Sequence, residues 1–368
     1  MNTKNLHELI RRYEERYAEI NNTANNEIFK WKAVRCFQDK WFSPENVDLS
    51  FAELFSKATS ECSVLIDNHT VSPANGIVKM AQQEPEEVAR QFREVLYAND
   101  GGDLNLRQKQ IEDFLDGIEA VRQKHFPGCW KYKQDRHAAS CYLALYAPEE
   151  NYIYKYTHAE NFAKHIEFGK DIGSGDRFSM ENYYEMCNLV VKALHEHPEL
   201  IAAYENLLTD AHYHDKSLHL LAFDVIYCAS AYSLFTGLQH RSKKESIKAY
   251  TLEQIRKEED AKLQAKIDAL EAKIQGLEMQ LDIYRSINLV GVQVFQKAYG
   301  NGTVIWQDVN VIRVRFAIGE KLFTVNTKFP LRPTFEDDGQ IVAALTDYED
   351  KQREIKDLLS QLEKLLRT

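Results

Sequence analysis

Two stretches of this chain gather residue types that do chemistry. The first holds His195-Glu196-His197 and His212-Tyr213-His214-Asp215, followed by His219. Zinc needs three or four imidazole, thiolate or carboxylate groups converging in fixed geometry. Neighbouring His and Asp on a loop can supply that, but a His-x-His pair on a helix points apart. No motif of fixed ligand spacing is present, so solvated loop histidines are the plainer reading, and neither metal nor cofactor is expected. The second is "CWKYKQDRH" (residues 129–137) with "YIYKY" (residues 152–156), which interleaves rings and cations: Trp130, Lys131, Tyr132, Lys133, Arg136, His137, Tyr154 and Lys155. Rings of this kind stack on bases while the cations meet phosphates, and an extruded base would need such an aromatic pocket. The alternative is that half of these rings belong to a helical core and the bases merely flank it.

Nucleotide-hydrolysis chemistry is missing. There is no G-x-x-x-x-G-K-[ST], and "GSGDRFS" (residues 173–179) lacks the lysine that would reach phosphates. Neither a G-x-S-x-G elbow nor an HExxH zinc motif occurs. A Cys/His dyad stays open, because its partners can lie far apart in sequence. No catalytic residue is assigned, and whether the chain is an enzyme stays open. Six cysteines, Cys36, Cys62, Cys129, Cys141, Cys187 and Cys228, are scattered without a CxxC pair, which reads as reduced core thiols of a cytoplasmic protein.

A chain of 368 residues, 44% hydrophobic, can bury a sizeable core and suggests two or three units. No apolar run is long enough for a membrane span, and "MNTKNLHELIRRYEERYAEI" is a charged amphipathic helix rather than a signal peptide. The net charge of −10 argues against a general nucleic-acid coat, but its distribution is uneven. Residues 1–240 carry 25 basic against 36 acidic side chains, whereas residues 291–335 carry 6 against 2 and form the only basic island.

Those residues need elements to position them. Residues 1–240 read as one mostly helical domain, with apolar positions recurring at three and four in "IFKWKAVRCFQDKWF", "PEEVARQFREVL", "LRQKQIEDFLDGIEAVRQKHF", "MENYYEMCNLVVKALHEH" and "SLHLLAFDVIYCASAYSLF". Residues 151–156, aromatic and β-branched, predict a short strand, and residues 169–179 a polar loop. Residues 241–289 read as a charged linker and then a coiled-coil helix, in which Leu263, Ile267, Leu270, Ile274, Leu277, Leu281 and Tyr284 step by four and three. A returning helix over residues 336–368 repeats the step at Ile341, Leu345, Tyr348, Gln352, Ile355, Leu359, Leu362 and Leu366, with Gln352 the polar member of the seam. The two helices either pair with each other as an antiparallel hairpin or each pair with a second chain as a homodimer. The hairpin needs no partner.

Between them, residues 290–335 drop to a period of two. Four short strands are predicted at residues 290–296, 302–307, 311–317 and 321–326, punctuated by glycine-rich turns. In the third, Ile312, Val314 and Phe316 share one face, and Arg313 and Arg315 point the other way. A meander of this size closes into a small barrel. Lys297, Arg313, Arg315, Lys321 and Lys328 would form a basic face for phosphates, with Trp306 or Tyr299 available for stacking. Arginine on an exposed strand face also serves solubility and edge protection.

Gly300, Gly302, Thr303, Val304, Val314, Phe316 and Phe323 follow a "G-x-G-T-V…V-x-F…F" pattern, by which this segment resembles small SH3-like (Tudor or CarD-type) modules of bacterial DNA-associated proteins. In the large domain, "NEIFKWKAVRCFQDKWF", "FAELFSKATSECSVLID" and "AASCYLALYAPEENYIYKYTHAENFAKHI" resemble the N-terminal region of McrB-type AAA+ ATPases, the motors of modification-dependent restriction systems. Pro148, Tyr152, Ile153, Tyr154, Lys155, Tyr156, Phe162 and Ala163 carry the most specific part of this likeness. The ATPase itself is absent. The resemblance implies a sensor without its own engine: a non-catalytic protein of a prokaryotic defence system that recognises nucleic acid, modified DNA included, and works with a separate protein effector. The other expectation is a structural adaptor whose arm and barrel bind proteins and no nucleic acid.

Overall fold

A computed structural model describes the chain apart from residues 69–70, 286–287, 310, 325–331, 334–337 and 368, and apart from the side chains of residues 176, 282–285, 332–333 and 338–346. It is mainly helical, with a small antiparallel sheet near the C-terminus. It divides into two units, Met1–Leu252 and Glu253–Thr368. Among the described residues no helix is long and apolar enough to cross a membrane.

The first unit contains α1 (Thr3–Glu15), α2 (Tyr17–Ile20), α3 (Phe29–Trp41), α4 (Phe51–Ala58), α5 (Pro73–Gln83), α6 (Pro85–Arg90, continuing as a wide turn to Leu96), α7 (Leu104–His125), α8 (Arg136–Tyr146), α9 (Tyr156–His165), α10 (Met180–Leu194), α11 (Pro198–Leu207) and α12 (His219–Ala231). Local signals start many of them. Ser50 and Glu53 close a capping box on α4, and Asp103, Asp135 and Ser179 cap α7, α8 and α10. Proline opens α5, α6 and α11, where its missing N–H costs nothing. The aromatic residues Phe37, Phe55, Phe92, Phe114 and Tyr142 fill the core between these helices.

Buried in that core is an ionic node. Lys30, 2% exposed, donates to Glu27 and to Asp224, which is fully buried. Tyr13 donates to the other Asp224 oxygen, Tyr232 donates to Glu27 at 2.8 Å, and the Lys30 ammonium lies 4.5 Å from the centre of the Tyr227 ring. Burial alone would push the lysine pKa down, but Asp224 and the neighbouring acidic groups, Glu27 among them, together more than offset this and raise it, so the ammonium stays charged.

Residues 151–155 are not a strand. Among the described residues no second strand lies beside them, and side chains take the place of a ladder. The Tyr184 hydroxyl oxygen accepts from Tyr152 N–H at 3.3 Å. Ser140 Oγ accepts from Tyr154 N–H at 2.9 Å, and the Tyr183 hydroxyl donates to the Ile153 carbonyl. Propensity supplied an extended backbone, and the fold supplied side chains to satisfy it.

The stretch expected as a linker is helical from Lys243: α13 runs Lys243–Arg285. Its first turns belong to the first unit, where Lys243 pairs with Glu160 at 3.0 Å and Asp171 at 2.7 Å, and Ser246 is buried. Gly169 lies against Tyr250, so close that a Cβ there would come within 2.3 Å of it.

In the second unit, Ile274 and Leu281 of α13 share a buried cluster with Tyr348, Ile355 and Leu358 of α14 (Asp338–Leu366), and Lys273 pairs with Glu354 at 2.7 Å. The α14 seam differs from the expected one. Leu359 and Leu366 are 44% and 63% exposed, Leu358 is buried, and Lys351, not Gln352, is the partly buried polar member. The buried set 348, 355, 358, 362 keeps the 3/4 alternation in a register one residue away at two positions. The Tyr284, Ile341 and Leu345 side chains lie outside the described set.

The strands are β1 (Gln293–Gln296), β2 (Gly300–Asp308), β3 (Val311–Phe316), β4 (Gly319–Thr324) and a two-residue β5 (Arg332–Pro333), in the order β4-β3-β2-β1-β5 with β1 pairing antiparallel to both β2 and β5. Val294, Val304, Ile312, Val314, Phe316 and Phe323 form the inner layer with Leu289. Gly302 belongs to that layer because a Cβ there would come within 2.6 Å of the Phe316 ring.

Asp224→Asn should destabilise the first unit by about 3–5 kcal/mol, since it leaves a buried ammonium short of its partner, whereas Tyr13→Phe should cost about 1 kcal/mol. Urea denaturation compares the two. In the second unit, Leu358→Ala should cost about 2 kcal/mol by loss of a buried side chain, and Leu359→Ala should stay within about 0.5 kcal/mol of the parent. The same denaturation experiment distinguishes the two registers.

Candidate nucleic-acid interface

The first unit brings four of its six candidate residues to one cleft of about 840 Å³. Glu112, Asp116 and Glu119, on one side of α7, line one wall, and Lys133, Arg136, His137, Tyr154 and Lys155 line the facing one. Trp130 and Lys131 are not among its lining residues. They sit on a single 3-10 turn, Trp130–Tyr132, with Trp130 59% exposed.

The cleft is not a cationic surface. Arg136 is 3.7 Å from Glu112, and Asp67 takes Lys155 at 2.9 Å and His137 Nε2 at 3.4 Å. Asp135, Asp116 and Glu119 add further carboxylates. Glu119 hydrogen-bonds Arg122, which holds its pKa down at about 2, so it stays ionised. A phosphate entering here would face the carboxylates of Asp67, Glu112, Asp116, Glu119 and Asp135, and Arg136, His137 and Lys155 would each have to leave a partner. Tyr154 offers no free ring to a base. It is 6% exposed and packs against Phe178 and Tyr183 with ring centres 4.3 and 5.0 Å away. Its hydroxyl is buried without a partner among the described residues, and burial pushes its pKa up.

Cys141 and His137 stand one helical turn apart on α8, with Sγ 3.7 and 3.8 Å from the two ring nitrogens. Near-equal distances mean that the thiol meets the ring side-on rather than along one nitrogen lone pair. His137 Nδ1 is engaged instead with the Tyr154 carbonyl at 2.8 Å, and the thiol donates to the Leu65 carbonyl. Burial raises the Cys141 pKa well above that of a free thiol, the reverse of what a nucleophile needs.

The histidine-rich stretch is taken up in packing. His212 meets Thr209, His219 lies against the Tyr152 ring at 4.1 Å, and Asp215 accepts from the Leu220 and Leu221 N–H groups at the start of α12. His197 pairs instead with His7 of α1 at 3.1 Å, and the pair is bracketed by Glu14 and Glu196. One set of metal-capable atoms converges among the described residues, from Glu27, Asp224 and Cys228. The Lys30 ammonium, bonded to both carboxylates, already supplies its positive charge. Sequence reasoning passed over this node, although an aspartate inside the apolar run "LLAFDVIY" is the signal that marks it.

On the sheet, register sorts the cations. Arg313 stands opposite Trp306 on β2 and Leu322 on β4, and Arg315 opposite Thr303 and Glu320. The Arg313 guanidinium lies 5.3 Å from the centre of the Trp306 ring, and Arg315 binds Glu320 at 3.0 Å. Lys321 pairs in register with the inward Val314 and lies over Tyr299 at 5.7 Å. It therefore belongs to the opposite side from the arginines, and the single basic face splits. Lys297 is exposed in the turn after β1, and Lys328 lies outside the described residues. Phe295, alternating with the inward Val294, joins the arginine face.

Burial orders the thiols for a chemical test. Cys36 and Cys129 are partly exposed, and Cys62, Cys141, Cys187 and Cys228 are buried. Iodoacetamide on the native protein should label the first two, and the other four only on unfolding, as mass spectrometry can follow. No family model, curated protein or solved structure matches this chain.

Proposed function

We propose that this chain is a non-catalytic nucleic-acid-recognition protein of a prokaryotic defence system, cytoplasmic and acting with a separate protein effector. The observation that carries the reading is the outer face of the sheet, which gathers Trp306, Arg313 and Arg315 within the chain's one basic stretch. Arginine forks two donors to a phosphate, so two arginines on one strand face fix position without reading sequence. In this reading α13 and α14 form an antiparallel coiled-coil hairpin and the strands close as an SH3-like barrel at its end. The joint cluster of Ile274, Leu281, Tyr348, Ile355 and Leu358 supports the hairpin. Pairing with a second copy of the chain would use the remaining exposed leucines of α14.

One observation favours the adaptor reading instead. Lys155 and Arg136 of the helical unit's cleft are already held by Asp67 and Glu112, and Asp116, Glu119 and Asp135 add further carboxylates to its lining, so the cleft suits a protein segment of mixed charge better than a phosphate.

Binding to plain and modified duplexes and to single strands across a salt series separates the two, because charge-driven binding weakens steeply with salt. Replacing Arg313 and Arg315 by glutamine should leave the fold intact, since Ile312, Val314 and Phe316 face inward. It should weaken binding alike for all sequences and reduce the salt slope by about 1–2. Unchanged affinity and slope would remove the sheet from nucleic-acid contact.

A further inference from the structure

The arginine face carries two exposed rings. Phe295 on β1 and Trp306 on β2 are 38% and 42% exposed. Both lie opposite the inner layer of Val294, Val304, Ile312 and Val314, because β1 pairs Phe295 with Asn301 and β2 pairs Trp306 with Arg313. The shift in register between Val304 and Trp306 is what keeps Trp306 on this side. The two rings stand on neighbouring strands, separated by roughly 13 Å along them, or about four residues at ~3.3 Å each. Thr303 and Arg315 occupy the row between, and Arg313 braces Trp306 from β3.

We infer that this face is a platform for single-stranded nucleic acid, with bases stacking on Phe295 and Trp306 and the intervening phosphates meeting Arg315 and Arg313. The inference rests on the nucleic-acid reading above and makes it narrower. A duplex keeps its base faces covered, so exposed rings on a sheet face gain nothing from it, and major-groove reading needs a projecting helix or ribbon. A single strand offers free π-faces to aromatic side chains and a flexible backbone to the cations between them. The charge agrees, since this is the basic island of an acidic chain. Arg313 has no carboxylate partner among the described residues, and its place against Trp306 leaves its remaining donors to a phosphate.

The test uses the full chain and fluorescein-labelled oligonucleotides of about 12 nucleotides, within the span of known single-strand sites, as DNA, as RNA and as the matching duplexes, read by anisotropy. Single strands should bind at least about tenfold more tightly than duplexes, and Phe295→Ala and Trp306→Ala should each weaken single-strand binding about tenfold, the loss of one stacked base. Lys321→Gln, on the opposite side, should lose far less. Circular dichroism checks each variant, and Trp306→Leu serves where alanine disturbs the sheet. Preference for either DNA or RNA strands supports the platform and identifies the sugar it takes. Duplex binding as tight as single-strand binding overturns this inference and leaves the broader reading standing. Single-strand binding that neither ring variant weakens also overturns it, by placing the strand elsewhere. Failure of every oligonucleotide to bind removes both readings and leaves a protein partner as the occupant of this face.

Discussion

The helical unit is organised around one buried positive charge. Lys30 holds Glu27 and Asp224 together, and through their other oxygens it reaches Tyr13 on α1 and Tyr232 beyond α12. Three segments, α1, residues 27–30 and α12 with its C-cap Tyr232, therefore converge on one buried ion cluster. A buried ion cluster of this kind adds little net stability, because desolvation cancels most of the attraction. Its effect is on specificity: in any other packing of α1, α3 and α12 at least one of these charges is buried alone, at a cost of several kcal/mol. The node also explains how α12 can be nearly all apolar and still settle in one orientation. A helix buried all round has no amphipathic stripe to orient it, and Asp224 supplies the missing marker.

Polar groups elsewhere in the unit follow the same economy. Arg107, 6% exposed, binds Asp100, the Glu150 carbonyl and the Asn151 side chain, pinning the start of the buried segment that runs to Tyr154. From there Tyr183, Tyr184 and Ser140 satisfy the backbone. The cations that follow this segment are fixed by the same logic. Lys155 and His137 both answer to Asp67, whose backbone lies in the left-handed region with φ 53°. The cleft's charges thus belong to the architecture of its walls, and a run of rings and cations in sequence became a set of internal pairs in space.

The parts legible in the sequence were those governed by periodicity. Helix α7, the seam through Ile267, Ile274 and Leu281, and the alternation Ile312, Arg313, Val314, Arg315, Phe316 all follow from burying one face of a regular element. What escaped depended on partners remote in sequence. Nothing near residue 151 announces that tyrosines from α10 would stand in for a neighbouring strand. Leu358 and Leu359 are interchangeable by composition, and only the opposing helix decides which is covered. Lys321 resembles its neighbours in charge, but the side it takes is set by which β3 residue it faces. Phe295 was within reach, since alternation with Val294 already assigns it outward, and a search for cations alone passes over it.

The two units divide the chain's electrostatics in a way that bears on their roles. In the first, acidic side chains outnumber basic ones, and the cleft's Lys155 and Arg136 are paired with Asp67 and Glu112. In the second, Glu320 occupies Arg315 only at the surface, at 65% and 42% side-chain exposure, where such a pair is worth about 1 kcal/mol or less and readily exchanges for a phosphate. A buried pair such as Lys30 with Asp224 cannot make that exchange without leaving a charge unpaired in the core. Availability for a ligand is therefore set by how cheaply a cation gives up its present partner, and by that measure the face of Arg313 and Arg315 is open where the cleft of Lys155 and Arg136 is largely committed.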